Sequence, residues 1–349
     1  MFRVRLAALA ASAALGALAG VAFAADRPYA PPRLSFGQPD LGDTWSNVSM
    51  TPETRPPGLG TKAAYTPEEA AAIERASQRA MAAANQKTDP NAPAPSVGGD
   101  RPPPGTRPEF ALAGGNVGGY NAFWLDPGNA VMRVRGEART SILTTPDGRV
   151  PPVIPGAKSP PGWGGGLGSF DNPENRSLGE RCIMGFGRNA GPPMLANGFY
   201  NNDYQFIQTP DAVAIIVEMN HDVRYIRLNG RHRTDDYRPW MGDSIGHWEG
   251  DTLVVETDHI PQAQAYHGAW KSLKVTERFT RTARDRLLYQ FTIEDPTLWA
   301  APWGGEYEFS PLKGQVYEYA CHEGNYALRN MLAGARAEDA KAAAAAGKP

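Results

Sequence analysis

Cysteine is scarce in this chain. Of 349 residues only Cys182 and Cys321 carry a thiol, and neither belongs to a CxxC pair, so a thiolate metal centre has no ligand set. An excess of charge of one sign is missing too: 35 basic residues face 37 acidic ones, a formal net charge of -2. That balance leaves no electrostatic footprint for nucleic acid. After residue 21 no stretch approaches the ~18 consecutive apolar residues of a membrane-spanning helix. The histidines are scattered: His232, His247, His259 and His267 form neither HExxH nor another compact zinc pattern. Gly164-Gly165-Gly166-Leu167-Gly168 lacks the lysine of a phosphate loop. Gly242-Asp243-Ser244-Ile245-Gly246 matches the letters of the serine-hydrolase elbow, but no apolar strand leads into it and no helix follows. Nothing in these patterns calls for a cofactor or a resident metal.

Glycine and proline are plentiful by contrast, 38 and 32 residues, which points to many turns and long irregular stretches. A hydrophobic share of 41% is enough for a folded core. The first 24 residues read as an export signal. They combine the basic start Met1-Phe2-Arg3-Val4-Arg5, an apolar run from Leu6 to Val21 and the small-residue cleavage pattern Ala22-Phe23-Ala24. A periplasmic or secreted bacterial location follows. In an oxidising compartment the even cysteine count suggests a Cys182–Cys321 disulfide, with two buried free thiols as the alternative.

Residues 25–119 read as a Pro/Gly-rich extension with one helix at about 67–84. Thr66 offers its cap, Pro67 its first position, and Glu68 and Glu69 favour its N-terminus. Its apolar face is mostly alanine, which suits a surface or a groove. Gln86 to Gly119 reads as a linker or mobile loop. Residues 120–335 read as the β-rich domain, with one or two strands in Val131–Leu143. Further strands are predicted at Asp203–Gln208, Ala212–Met219, Val223–Leu228, Thr252–Thr257, Leu273–Thr282, Arg286–Glu294 and Val316–Ala320. Strands in series without intervening helices predict a mainly β fold, an antiparallel barrel or sandwich. A helix follows Asn325, and 336–349 reads as a flexible tail.

Several runs carry a resemblance. These are Arg176-Ser177-Leu178-Gly179-Glu180-Arg181-Cys182, Trp240-Met241-Gly242-Asp243-Ser244, Trp248-Glu249-Gly250-Asp251-Thr252-Leu253-Val254-Val255-Glu256-Thr257 and Tyr319-Ala320-Cys321-His322-Glu323-Gly324-Asn325-Tyr326. With them the chain resembles a broad group of uncharacterised exported bacterial proteins over about residues 120–335. The hairpin from Glu277-Arg278-Phe279-Thr280 to Glu294-Asp295-Pro296 is similar to lipocalin-like β domains. The resemblance implies an envelope setting and a lipocalin-like barrel; it supplies no activity and no catalytic residue.

Polar groups inside apolar strands are the candidates for chemistry. In Val213 to Tyr225, continuous strand alternation would put Glu218, Asn220, Asp222 and Arg224 on one face and His221 on the other. An acid after five apolar residues is costly to bury unless paired. Glu218 therefore reads either as the partner of Arg224 or as a carboxylate lining a ligand cavity. His322, next to Cys321 and between Glu318 and Glu323, reads as a fixed acid–base group or as a satisfied structural histidine. The candidate site residues are thus Glu218, His221, Arg224, His322 and Glu323. The tryptophans at 240, 248, 270, 299 and 303 read as core, with stacking on a ligand as the alternative. The expected function is binding of a small hydrophobic or amphipathic molecule in a barrel cavity. The alternative is a hydrolase, lyase or isomerase using Glu/His acid–base catalysis in that cavity.

Overall fold

Period-two alternation builds the core. In the strand Arg286–Glu294, Leu287, Tyr289, Phe291 and Ile293 are all buried, as the alternation predicts. The computed structural model describes residues 29–85, 125–157, 170–197 and 200–347. The expected export signal at 1–24, the linker at 86–119 and the glycine run at 164–168 lie outside the described residues.

The strands are β1 (Thr44–Ser46), β2 (Ala64–Tyr65), β3 (Arg133–Val134), β4 (Glu137–Arg139), β5 (Asp203–Gln208), β6 (Ala212–Val217), β7 (Val223–Leu228), β8 (Asp243–Glu249), β9 (Thr252–Asp258), β10 (Lys274–Ala283), β11 (Arg286–Glu294) and β12 (Trp303–Pro311). The helices are α1 (Pro67–Ala84) and α2 (Ala327–Ala346). Among the described residues, nine strands close into a barrel in the order β1-β12-β11-β10-β9-β8-β7-β6-β5. The fold is therefore the barrel and not the sandwich. One pair, β7 with β8, is parallel, because residues 229–242 carry the chain back along the barrel before β8 begins.

Sequence patterning misses four of these strands, β1, β2, β8 and β12. β1 has only three residues. β8 mixes glycine and charge, and β12 begins Trp303-Gly304-Gly305. The strand expected at Val316–Ala320 does not form. β1 already pairs with the free edge of β12, so the closed barrel has no edge left for it. Thr44–Ser46 comes from the stretch read as an extension, yet it bridges β12 and β5.

Short turns and long loops separate to opposite ends of the barrel. At one end lie the tight connections 209–211, 250–251 and 284–285. This end is covered by the front segment: Leu41 and Trp45 are buried, and Arg281 donates to the carbonyls of Asp40 and Gly42 and pairs with Asp43. At the other end lie residues 47–55, 218–222 and 259–273 and the approach to β5. There the segment 189–194 dips into the barrel. The Met194 amide donates to the Tyr289 hydroxyl at 2.8 Å, and Tyr307 donates to the Met194 carbonyl at 2.9 Å. The Cys182–Cys321 disulfide, with Cα atoms 5.7 Å apart, ties this loop region to the chain after β12.

Outside the barrel, β2, β4 and β3 form a small sheet held to β12 by the Arg139–Glu306 ion pair. α1 has the expected cap: Thr66 Oγ1 accepts from the Glu69 amide, and the Glu69 carboxylate accepts from the Thr66 amide. Its thin alanine face buries Ala70 against Val131 and Ala138. α2 runs through most of the stretch expected as a tail and buries only Leu332.

The front segment should be integral to the barrel. Trp45→Ala removes a side chain that is 1% exposed, so it should cost about 3–5 kcal/mol in chemical denaturation. A loss below about 1 kcal/mol would show that β1 is dispensable.

Candidate functional site

The sequence candidates do not come together. β6 ends at Val217, and residues 219–221 form a tight turn with Asn220 and His221 at φ of 59° and 46°. The alternation from 213 to 225 is thus broken, and Arg224 starts on a new strand. Glu218 is buried but does not meet Arg224. Its carboxylate accepts from Asn201 Nδ2 at 2.6 Å and from the Tyr317 amide at 2.8 Å. It anchors the chain beyond β12. His221 is exposed and contacts the Tyr319 carbonyl through Nδ1 at 3.3 Å. His322 and Glu323 are both exposed. Ser244 of the elbow-like motif lies within β8 and hydrogen-bonds Thr257 at 2.8 Å.

Arg224 points into the barrel and takes a different partner. Its guanidinium donates to both oxygens of Glu277 at 2.5 and 3.0 Å. Glu277 also accepts from the Tyr289 hydroxyl at 2.7 Å. Beside them, Asn47 donates to the hydroxyls of Tyr204 and Tyr307 at 3.0 and 3.1 Å. Tyr204 in turn donates to the Asn189 carbonyl at 3.1 Å. Toward the short-turn end, Phe206, Phe279 and Phe309 fill the interior in edge-on contacts. Polar groups, aromatics and the 189–194 segment therefore occupy the space that a ligand takes in an open barrel. Sequence reading passed over Glu277. The signal was available, because Val275, Glu277 and Phe279 share one face of an alternating strand.

A second constellation forms on the loops at the far end. Tyr266 and Ala269 pair across a tight turn whose middle residues, His267 and Gly268, have φ of 47° and 85°. Such a turn usually carries Asn, Asp or Gly in its middle. Here it carries a histidine, whose Nε2 lies 2.7 Å from Glu53. Tyr266 donates to the same carboxylate at 2.8 Å. Burial works to raise the Glu53 pKa, but the His267 and Tyr266 hydrogen bonds and the charge of Arg188 hold it below the ordinary value. Burial and the facing Glu53 push the Tyr266 hydroxyl well up. Trp303 stacks on Tyr266 at 5.7 Å, and Trp299 meets Trp303 edge-on. The Arg188 guanidinium lies over the Tyr266 ring, 4.8 Å from its centre. Beside it opens a cavity of about 60 Å³, lined by Leu178, Gly179, Phe186, Arg188 and Gln264. A Cβ on Gly179 would stand 2.6 Å from the Phe186 ring, so glycine is what lets this wall close up. A carboxylate-oriented histidine, a buried cation and a cavity are parts from which binding and acid–base sites are made.

A third cluster at the same end joins His232, Asp243 and Asp258. His232 Nδ1 lies 3.1 and 3.0 Å from the two carboxylates. Their donor atoms fall within 4.8 Å of one another, a spacing that would admit a divalent cation. Asp243, however, already accepts from Arg227 and from the Arg233 amide, so its charge is offset within the protein. No family model, curated protein or solved structure matches this chain.

The carboxylates at this end make stability pH-dependent. Burial raises the Asp222 pKa to about 6, against the lowering effect of the Gly185 amide and Asn220. Asp203 is likewise raised to about 6, again chiefly by burial. The folded protein thus holds these protons more tightly than the unfolded chain. Their stabilising contribution is full below the unfolded pKa of about 3.9 and is lost as pH rises through about 6. Asp222→Asn keeps an acceptor for the Gly185 amide without the charge. It should raise the melting temperature at about pH 7 by roughly 2–4 °C and flatten its fall between about pH 4 and 7. A lower melting temperature at neutral pH would contradict the sign.

Proposed function

We propose that this is an exported binding protein for a small amphipathic molecule, seated at the long-loop end of the barrel and not within it. One observation carries the reading: the barrel interior is occupied, while the cavity beside Arg188 and the Glu53–His267 pair gather on the loops outside it. Loops on a rigid scaffold are where binding groups are usually placed. Phe186, 43% exposed at the rim of the cavity, gives an apolar tail a surface to lie on. The leader-like residues 1–24 and the disulfide support export.

The Glu53–His267 pair favours a second reading, an enzyme using acid–base chemistry at the same place. Its histidine is oriented by a carboxylate and reaches solvent. Native mass spectrometry of whatever molecule copurifies separates the two. An unchanged ligand mass after incubation supports the binder; conversion by the unaltered protein but not by His267→Gln supports the enzyme.

The location of the site has its own test. Phenylnaphthylamine, a neutral fluorescent probe, should bind saturably at one site per chain. Phe186→Ser should weaken it about tenfold, a loss of about 1.4 kcal/mol of apolar contact. Tyr225→Ser, on the exposed outer wall, should leave it unchanged. Equal affinity in both variants would move the site elsewhere.

A further inference from the structure

Charged groups in the interior normally come with partners, and the buried arginines of this chain allow a comparison. Among the described residues five are buried: Arg55, Arg176, Arg188, Arg224 and Arg281. Arg176, Arg224 and Arg281 each hold a carboxylate at 2.5–2.6 Å, from Glu180, Glu277 and Asp43. Arg55 and Arg188 do not. Arg55 uses its Nε on Thr140 and Nη1 on the carbonyls of Gly60 and Pro146. The terminal nitrogens of Arg188 go to neutral acceptors, the carbonyls of Gln264, Ala265 and Pro192. Its Nε, like those of Arg224 and Arg281, has no acceptor among the described residues.

Arg188 therefore carries a full positive charge, 8% exposed, with no anion in contact among the described residues. Glu53 acts on it only through space and is itself engaged by His267 and Tyr266. Burial lowers the Arg188 pKa, whereas Arg224, buried more deeply still, is raised by Glu277 against its own burial penalty. Carbonyl dipoles and an aromatic face offset part of the desolvation cost of a guanidinium but do not neutralise it. The cavity of about 60 Å³ that Arg188 lines has room for a few heavy atoms, the size of a headgroup and not of a whole ligand.

We propose that Arg188 is the seat of an anionic headgroup (a carboxylate, sulfonate or phosphate) whose apolar tail lies toward Phe186. This rests on the binding reading above and narrows it to amphipathic anions. In a desolvated site a charge-assisted hydrogen bond to a guanidinium adds about tenfold or more to affinity.

The test uses the purified full chain and two fluorescent probes of nearly the same shape, anilinonaphthalene sulfonate and the uncharged phenylnaphthylamine. The sulfonate should bind at least about tenfold more tightly. Arg188→Met should bring the two affinities together by weakening the sulfonate alone, and Arg188→Lys should retain a preference. Equal affinities on the unaltered protein, or a preference that survives in a folded Arg188→Met variant, would overturn the anionic headgroup and leave the binding reading standing. If neither probe binds, the binding reading fails and the headgroup goes with it. The unaltered protein alone decides between these outcomes, whether or not a variant folds.

Discussion

Arg224 and Glu277 lie out of water, joined by hydrogen bonds at 2.5 and 3.0 Å. Taking both charges from solvent costs several kcal/mol each, and their attraction offsets this only when geometry is good and the remaining polar atoms are satisfied. Around them Ser244, Thr257 and Tyr289 supply hydroxyls from three further strands. The pair and these hydroxyls thus connect β7, β8, β9, β10 and β11 at one level of the barrel. A slip of one residue in β10 would turn Glu277 to the outside and leave Arg224 alone in the core. The buried pair makes that error expensive and so holds the register of the closed sheet.

That constraint also decides what fills the barrel. With the ion pair, four tyrosine and asparagine groups and the 189–194 segment in the upper half, and phenylalanines in the lower, the interior is a core. Both ends are covered, one by Leu41 and Trp45 and the other by the dipping loop. Arg188, the Glu53–His267 pair and the His232–Asp243–Asp258 cluster stand at the long-loop end. Arg224 and Arg188 then divide two roles that sequence cannot separate. One guanidinium is neutralised by contact and belongs to the scaffold. The other is held by carbonyls beside a cavity and is the one proposed to meet a ligand.

Much of the barrel could be read directly. β5, β7 and β11 have the boundaries that alternation and turn residues predict, and α1 begins at its capping box. β1, β8 and β12 could not be read so, because three residues, or a strand interrupted by glycine, have no periodicity to detect. The candidate site was less accessible. Extending the alternation through Asn220 assumed a continuous strand, and two residues with positive φ broke it. Glu277 carried the same signal as Glu218, an acid within an apolar face, and was the one that met Arg224. Glu53 and His267 are 214 positions apart and meet only because the front segment wraps the barrel. No local pattern records such a contact.

Replacing the buried pair by apolar residues tests this division most directly. Arg224→Met or Glu277→Leu alone should cost about 3–5 kcal/mol of stability, since each leaves a charge without its partner. The double variant should recover most of that loss and bind anilinonaphthalene sulfonate with the affinity of the unaltered protein. A double variant that folds with near-native stability but no longer binds the probe would contradict it, because the interior pair would then belong to the site.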